Sequence, residues 1–308
     1  MNRREFLMAG AALLLAGCAR QEPQEPGRPS ASARRSATPS AAPSPTGPSY
    51  AVAGGATPIE QVVQALIVRA LTAQGFASSA AGLPAGTVYD LTEAIGTGTA
   101  PFAIGFAGTL LPQFVTDDDT VPGPDQVKPA LASAVAPDVG LLAASPCDGQ
   151  LVWAVRQGAS ISSLGDLPKW KQKKAVVPSF AVDRADGIRG LEAVYGAKLA
   201  VQTQDDPLAR RAALVGQTAD LAAFRACDVG ALAGLTALDD PNEILQPDPM
   251  VVLFEASLGD DQPDVVLAVN TVLGALNATT LASLEPEVAD GAAAAAVADR
   301  WVSDNLPR

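Results

Sequence analysis

The order of hydrophobic and polar positions after about residue 50 predicts a series of helices and strands. Apolar residues recur at helical spacing from Ile59 to Leu71, with Pro58 at the predicted start and Gly75 at the predicted end. Short apolar runs between helical stretches are typical of buried strands. The predicted strands are 102–104, 139–143, 151–155, 175–177, 220–223 and 250–254, and the predicted helices are 88–95, 162–170, 187–195, 207–215 and much of the tail from 263.

Strands that alternate with helices predict an α/β fold with mainly parallel sheets. At two places no helix separates successive strands, within 139–155 and just before Met250. Two such crossings suggest a hinge between two lobes, with residues 50–150 and 248–308 in lobe 1 and residues 151–247 in lobe 2. A single doubly wound domain is the alternative interpretation.

The N-terminal residues have a different pattern, which is typical of an export signal. Residues 1–18 combine paired arginines with an apolar run and end in Leu-Ala-Gly-Cys, which resembles the bacterial lipobox. The apolar run is shorter than the roughly 20 residues of a membrane span. We therefore predict that Cys18 is lipidated and anchors the protein on the extracytoplasmic face of a bacterial cell membrane. The stretch Arg3–Leu7 resembles a twin-arginine signal, and general secretion is the alternative export route.

Residues 19–49 contain seven prolines among Ser, Ala, Arg and Gln, and this composition cannot bury a core. We predict a disordered tether.

Composition narrows the function. The 308 residues include no histidine and only three cysteines, which excludes histidine-dependent nucleophiles, His-ligated metals and a four-cysteine zinc site. A net charge of −12 disfavours binding to nucleic acid. We predict a protein that is not an enzyme and uses neither a metal nor a cofactor, although carboxylate or lysine catalysis stays a minor alternative.

Four stretches resemble a known family by their order and spacing. They are Thr57–Gln61, Ile161–Leu167, Arg184–Gly196 and Ala213–Asp240, which contain Thr-Pro-Ile-Glu-Gln, Ile-Ser-Ser-Leu-Gly-Asp-Leu, Arg-Ala-Asp-Gly with a later Tyr-Gly, and Asp-Leu-Ala with a later Leu-Asp-Asp. Together they resemble the glycine betaine and quaternary-amine substrate-binding proteins of ABC importers. The resemblance implies a two-lobed type II periplasmic-binding-protein fold with a hinge and an inter-lobe ligand cleft.

The same resemblance implies a function and its partners. The protein would capture a small osmoprotectant of the quaternary-amine class and dock, as a monomer, on a permease with a separate ATPase subunit. Aromatic faces would hold the ammonium group by cation–π attraction.

Candidate ligand-binding residues lie where predicted strands end or helices begin. Simpler roles compete with binding: helix caps for the threonines, core packing for the phenylalanine, turns for the aspartates and a salt bridge for the arginine. The candidates are Thr57, Phe106, Thr109, Asp148, Arg184, Asp228 and Asp248.

Two further cysteines, Cys147 and Cys227, fall on loops near the predicted cleft. In an exported protein they are candidates for a disulfide, and a buried pair of thiols is the alternative.

The ligand loops depart from the family pattern. The turn around Phe106 keeps one ring and lacks the family's first tyrosine, and Arg225-Ala226-Cys227-Asp228 stands in place of the family's Phe-Ser-Thr-Asp turn. A complete aromatic cage is not visible in the sequence. Two alternatives therefore stay open, a polyphenolic, sugar or polyol ligand and an envelope scaffold or regulator without a transport role.

Overall fold

A computed structural model describes residues 47–82, 90–114, 125–142 and 146–306. These described residues form one compact unit. The predicted signal segment with Cys18, and the predicted tether up to residue 46, lie outside the described residues.

The described chain contains two five-stranded mixed sheets. Their order is β2-β1-β3-β10-β4 in the first and β7-β6-β8-β5-β9 in the second. We call each sheet with its helices lobe 1 and lobe 2, respectively. The strands are β1 Ser49–Gly54, β2 Ala77–Gly82, β3 Phe102–Phe106, β4 Val139–Leu141, β5 Leu151–Arg156, β6 Lys174–Val177, β7 Ala200–Thr203, β8 Leu221–Arg225, β9 Leu235–Ala237 and β10 Met250–Glu255.

Helices cover both sheets. Buried apolar clusters lie on both faces of the first sheet, and two more lie against the second. The helices are α1 Pro58–Ala73, α2 Asp90–Gly96, α3 Ala107–Leu110, α4 Val127–Val135, α5 Ile188–Tyr195, α6 Pro207–Val215, α7 Val229–Leu232, α8 Leu258–Asp261, α9 Pro263–Ala275, α10 Ala278–Ala289 and α11 Ala294–Asn305.

The chain crosses between the sheets twice, and this arrangement corrects the prediction of mainly parallel sheets. After the first crossing β5 runs antiparallel to β8 and β9, and after the second β10 runs antiparallel to β3 and β4. Each sheet therefore contains two parallel and two antiparallel strand pairs. The crossings fall where the sequence indicated them, and the predicted lobe bounds at 150/151 and 247/248 stay a prediction.

One predicted helix, 162–170, is wrong. Only a single 3-10 turn, Leu164–Asp166, forms there. Ser163 accepts a hydrogen bond from the Gly165 N–H at 3.1 Å, and Pro168 follows two residues after the turn. The short side chain caps one turn, and the proline, which lacks an N–H, disfavours continuation of the helix.

Within the described ranges no single helix is long and apolar enough to cross a membrane; only the pair α9 and α10, bent by 94°, meets the length and composition test when taken together.

Candidate ligand-binding site

Side chains from both lobes meet in one buried cluster beside the crossings. From lobe 1 come Phe106 at the end of β3 and Thr109 in α3, with Asp248 just before β10. Backbone pairing fixes this end of the sheet, because Met250 lies opposite Phe106 in the ladder between β3 and β10. The end of a buried strand thus delivers an aromatic ring, a hydroxyl and a carboxylate to one place.

Lobe 2 supplies a second ring and two guanidinium groups. Arg225 is the last residue of β8, and Phe180 lies in a 3-10 turn that follows β6. Because β6 and β8 are parallel neighbours, their carboxyl ends lie at the same edge of the sheet. Arg184 lies in the loop before α5.

Asp248 is the centre of the cluster, with a side chain that has no exposed surface. Its Oδ2 accepts hydrogen bonds from Arg225 at 2.7 Å and from Arg184 at 2.9 Å. Thr109 donates to both carboxylate oxygens, through its N–H at 2.9 Å and its hydroxyl at 2.6 Å. Burial raises the pKa of Asp248, but the charges of Arg225 and Arg184 and the bond from Thr109 outweigh it and hold that pKa below its usual value. Asp248 is therefore an anion at neutral pH.

Arg225 is stacked between two aromatic rings, one from each lobe. Its Cζ lies 3.7 Å from the centroid of the Phe106 ring and 4.1 Å from that of Phe180. Its nitrogens donate to Asp248 and, at 3.2 Å, to the hydroxyl of Thr109. The guanidinium thus contacts two rings and also donates to a carboxylate and a hydroxyl.

Arg184 links the cluster to its own loop. Its Nε and Nη2 each donate to Asp186 at 2.7 Å, and its Nη1 donates to Thr109 and Asp248 at 2.9 Å. Burial lowers the pKa of Arg184, but bonding to Asp186 and the charge of Asp248 outweigh it, so the pKa is raised. The sequence left a ligand anion and a surface salt bridge, with Asp183 as the partner, open for this residue. The structure instead has buried salt bridges to Asp186 and Asp248.

Asp148 and Gly149 lie in the first crossing and support the cluster from behind. The exposed Asp148 carboxylate accepts the N–H of Asp248 at 2.9 Å, and the Gly149 N–H donates to the Asp248 carbonyl at 2.7 Å. A Cβ at position 149 would lie 2.4 Å from Phe106 and 2.9 Å from Arg225. Only glycine lets the crossing pass this close to the stacked pair.

Asp228 and Thr57 have no hydrogen bond to the Asp248 carboxylate among the described residues. Asp228 is buried before α7, where its Oδ2 accepts the Arg225 N–H at 3.0 Å and lies 3.5 Å from Arg210. Its pKa is raised, because burial outweighs the charge of Arg210. Thr57 begins α1 and donates its hydroxyl to Glu60 at 2.5 Å. These contacts give both residues structural partners.

Glu285 on α10 reaches from lobe 1 to α7 of lobe 2. Its Oε2 accepts the Gly230 N–H at 2.7 Å, whereas its buried Oε1 has no hydrogen-bond partner among the described residues. Burial raises the pKa of Glu285 to about 7, although the bond from Gly230 opposes the shift and the charge of Asp228 adds to it. The carboxyl group therefore titrates near neutral pH.

Cys147 and Cys227 face each other across the crossing. Both are thiols in this structure, so the disulfide considered from the sequence is not formed there. Their side chains share a hydrogen bond, and this bond and burial raise the pKa of Cys227 well above its usual value.

Sequence reasoning thus selected four residues that the fold brings together, Phe106, Thr109, Arg184 and Asp248. It did not propose Phe180 or Arg225 as binding residues. One signal for Arg225 was present, because an arginine occupies the turn where the resembled family carries a phenylalanine. Around this site and elsewhere in the described residues, no group of three or more His, Cys, Asp or Glu side chains could hold a metal ion.

Comparison of the sequence with protein-family profiles and with curated proteins gave no match. Solved structures do match. A glycine betaine/carnitine/choline ABC transporter protein shares 16% identity over 84% of this chain and 98% of its own, with a TM-score of 0.65.

Two further solved structures match this chain over most of its length. Lactococcal OpuAC, solved closed with glycine betaine, has 13% identity, coverage of 83% and 95%, and a TM-score of 0.61. The glycine betaine/L-proline-binding protein ProX of Borrelia burgdorferi has 13% identity, coverage of 84% and 94%, and a TM-score of 0.62. At these identities the likeness concerns the fold. The two-lobed α/β fold of type II periplasmic binding proteins, predicted from the sequence, is therefore confirmed.

Proposed function

We propose that this protein is the solute-binding component of an ABC importer and holds its ligand between the two lobes. One observation carries the proposal: a single cation, the Arg225 guanidinium, lies over both the Phe106 ring of lobe 1 and the Phe180 ring of lobe 2. Two rings on different lobes can hold a ligand's cationic head only when the lobes are together, so binding and closure are coupled.

The ligand we propose is a small zwitterion of the quaternary-amine class. The rings suit an ammonium head, and Arg184 and Arg225 are donors for a carboxylate. Solved proteins of the same fold are named for glycine betaine, carnitine, choline and L-proline, which supports this class.

The rest of the mechanism requires no chemistry in this chain. In the proposed cycle the protein, lipidated at Cys18 and exposed outside the cell membrane, binds ligand as a monomer, closes, and delivers it to a permease driven by a separate ATPase. The ligand drives closure only as far as it binds the closed state more tightly than the open state.

Calorimetric titration with glycine betaine, choline and carnitine tests the proposal, with thermal shift as a second readout. A ligand that binds only the folded state raises the midpoint temperature of unfolding. At a ligand concentration of a hundred times Kd, the free energy of unfolding increases by about 2.7 kcal/mol. Sorbitol, glucose and a soluble polyphenol are the comparison ligands. Binding of one of these and of no amine would transfer the function to the non-betaine alternative.

A second candidate, an envelope scaffold or regulator without a transport role, is favoured by one observation. The salt bridges and hydrogen bonds of Arg225 and Asp248 are complete without a ligand, and Arg225 itself fills the space between the rings. Absence of binding for every solute in the same titration would favour this role.

A further inference from the structure

We propose that Arg225 is the specificity-determining residue of the site: its guanidinium occupies the position of the ligand's cationic head, and the site accepts zwitterions in preference to simple cations. The inference rests on the proposed function for its biological meaning, but its physical content is a site for an organic cation.

The contacts of the Arg225 guanidinium with the two phenylalanine rings are those of a cation-binding site. A planar cation lies between two rings with centroid distances of 3.7 and 4.1 Å, within the roughly 6 Å over which such attraction operates. The side chain is almost buried, with 9% exposure, so solvent weakens the attraction little. This is the geometry in which an aromatic site holds an organic cation, and here the cation belongs to the chain.

The Arg225 guanidinium competes with a ligand's cationic head for the space between the rings. Arg225 is tethered at the end of β8, so it competes at high effective concentration with any free cation. A ligand head enters between the rings only if the guanidinium leaves. The wild-type site therefore binds an ammonium head less tightly than the same rings would without Arg225.

The net charge of the cluster determines which ligands the site accepts. The cluster contains two arginines, Arg184 and Arg225, and two aspartates, Asp186 and Asp248, and is neutral as a whole. A simple cation would add one buried positive charge and leave the displaced guanidinium short of a partner, which is costly. A zwitterion adds no net charge, and its carboxylate offers Arg225 a new acceptor. Substitution of Arg225 by a neutral residue reverses this balance, because the cluster then lacks one positive charge.

The test measures the affinities of glycine betaine, tetramethylammonium and methylguanidinium for the wild type, Arg225→Ala and the control Arg156→Ala. Arg156 ends β5, the strand beside β8, and takes no part in the cluster. We expect Arg225→Ala to gain affinity for the two simple cations by roughly tenfold or more, equivalent to about 1.4 kcal/mol, and to lose its preference for betaine. The control should behave as the wild type.

Arg225→Gln guards against a folding failure, because it keeps a polar side chain with hydrogen-bond donors while it removes the charge and vacates part of the space between the rings. It should gain the same cations to a smaller extent. The inference is overturned if neither variant, shown to be folded by circular dichroism, gains affinity for a simple cation.

The two proposals fail separately. Wild-type protein that binds no solute, together with an arginine variant that gains methylguanidinium, would refute the transport role and support the cation site. Wild-type protein that binds betaine, with no change of preference in either variant, would refute the role of Arg225 alone.

Discussion

Two buried charge clusters lie between the lobes, and they are built by opposite rules. The first, which we call the Asp248 cluster, consists of Thr109, Arg184, Asp186, Arg225 and Asp248. In it, both oxygens of the Asp248 carboxylate accept hydrogen bonds and its pKa is held low.

The second, the Glu285 cluster, consists of Arg210, Asp228, Gly230 and Glu285. Here Asp228 Oδ1 and Glu285 Oε1 have no hydrogen-bond partner among the described residues, and both carboxyl groups have raised pKa values. The comparison shows that burial alone does not set the protonation of a carboxyl group. The direction of the pKa shift depends on whether nearby positive charge and hydrogen bonds outweigh burial, as they do for Asp248 and do not for Asp228 and Glu285.

The largest expected effect is on the free energy of unfolding, when the aspartate of each cluster is replaced by asparagine. Asp248→Asn leaves two buried guanidinium groups with a neutral amide, and we expect it to cost about 3–5 kcal/mol in the free energy of unfolding. Asp228→Asn should cost less, about 1–2 kcal/mol, because among the described residues only Arg210 forms a salt bridge with that carboxylate, at 3.5 Å, whereas two arginines bond Asp248 at 2.7 and 2.9 Å. Denaturant unfolding at pH 7 gives both values.

The exposed Asp261 provides the control for these substitutions, and its change to Asn should have little effect. Equal costs at positions 228 and 248 would contradict the distinction between the clusters. The Asp248 cluster should also lose stability only in acid, as the pH falls below the usual aspartate pKa toward the lower pKa of the folded state.

A disulfide between Cys147, in the first crossing, and Cys227, in the loop after β8, would link the crossing to lobe 2. Oxidised glutathione would take two electrons and two protons from the thiols and become two glutathione molecules. We expect a slow reaction, because the raised pKa of Cys227 leaves little thiolate, and a gain in stability of about 2–4 kcal/mol.

Mass spectrometry without reductant detects the loss of two hydrogens, and thermal unfolding measures the gain. Cys227→Ser is the control, which should show neither change. A mixed disulfide with glutathione as the sole product would refute pairing of these thiols.

The Glu285 cluster should make stability depend on pH near neutrality. The pKa of Glu285 is about 7 in the folded state and near its ordinary value when unfolded, so the folded protein binds more protons between these values. Stability is therefore greatest at the acid side of this window and falls as the pH rises to about 7, by about 2–3 kcal/mol.

Glu285→Gln should flatten this dependence, whereas Glu287→Gln on the same helix should leave it intact. Melting temperatures from pH 5 to 8 test the expectation. The same slope in wild type and Glu285→Gln would assign the effect to another group.

The smallest effect concerns Thr57, which the sequence suggested as a ligand residue. Thr57→Val removes the hydroxyl that donates to Glu60 and should cost about 0.5–1 kcal/mol, typical of a lost helix cap. Unchanged betaine affinity is expected, because Thr57 has no hydrogen bond to the Asp248 cluster in the described structure. A large loss of affinity at unchanged stability would place Thr57 in the binding site.

Local sequence signals predicted the elements they control. Helix α6 has the predicted bounds, because Pro207 occupies its first turn and Asp206 caps it through the Leu208 N–H at 2.9 Å. Strands β2 and β7 were not predicted. They lie at sheet edges, and β7 is exposed along its whole length, so neither carries the apolar pattern of a buried strand.

The site required information that no local pattern contains. Phe180 and Arg225 are 45 positions apart, and they meet because β6 and β8 are neighbours and end at the same edge. Phe106 joins them from the other sheet. Sequence alone identified strand ends as ligand loops, but the partner of each side chain depends on strand order and on how the two lobes meet.

The paired crossings have a mechanical consequence. Asp148 and Pro249 form a β-bridge, and the Met250 N–H donates to the Cys147 carbonyl at 3.0 Å, so the outgoing and returning chains are fastened side by side. Strand β1 and helix α11, near the two ends of the described chain, both pack against α1. A force applied between these ends would act on lobe 1. Lobe 2 would come under tension only after the backbone hydrogen bonds between the two crossings had broken.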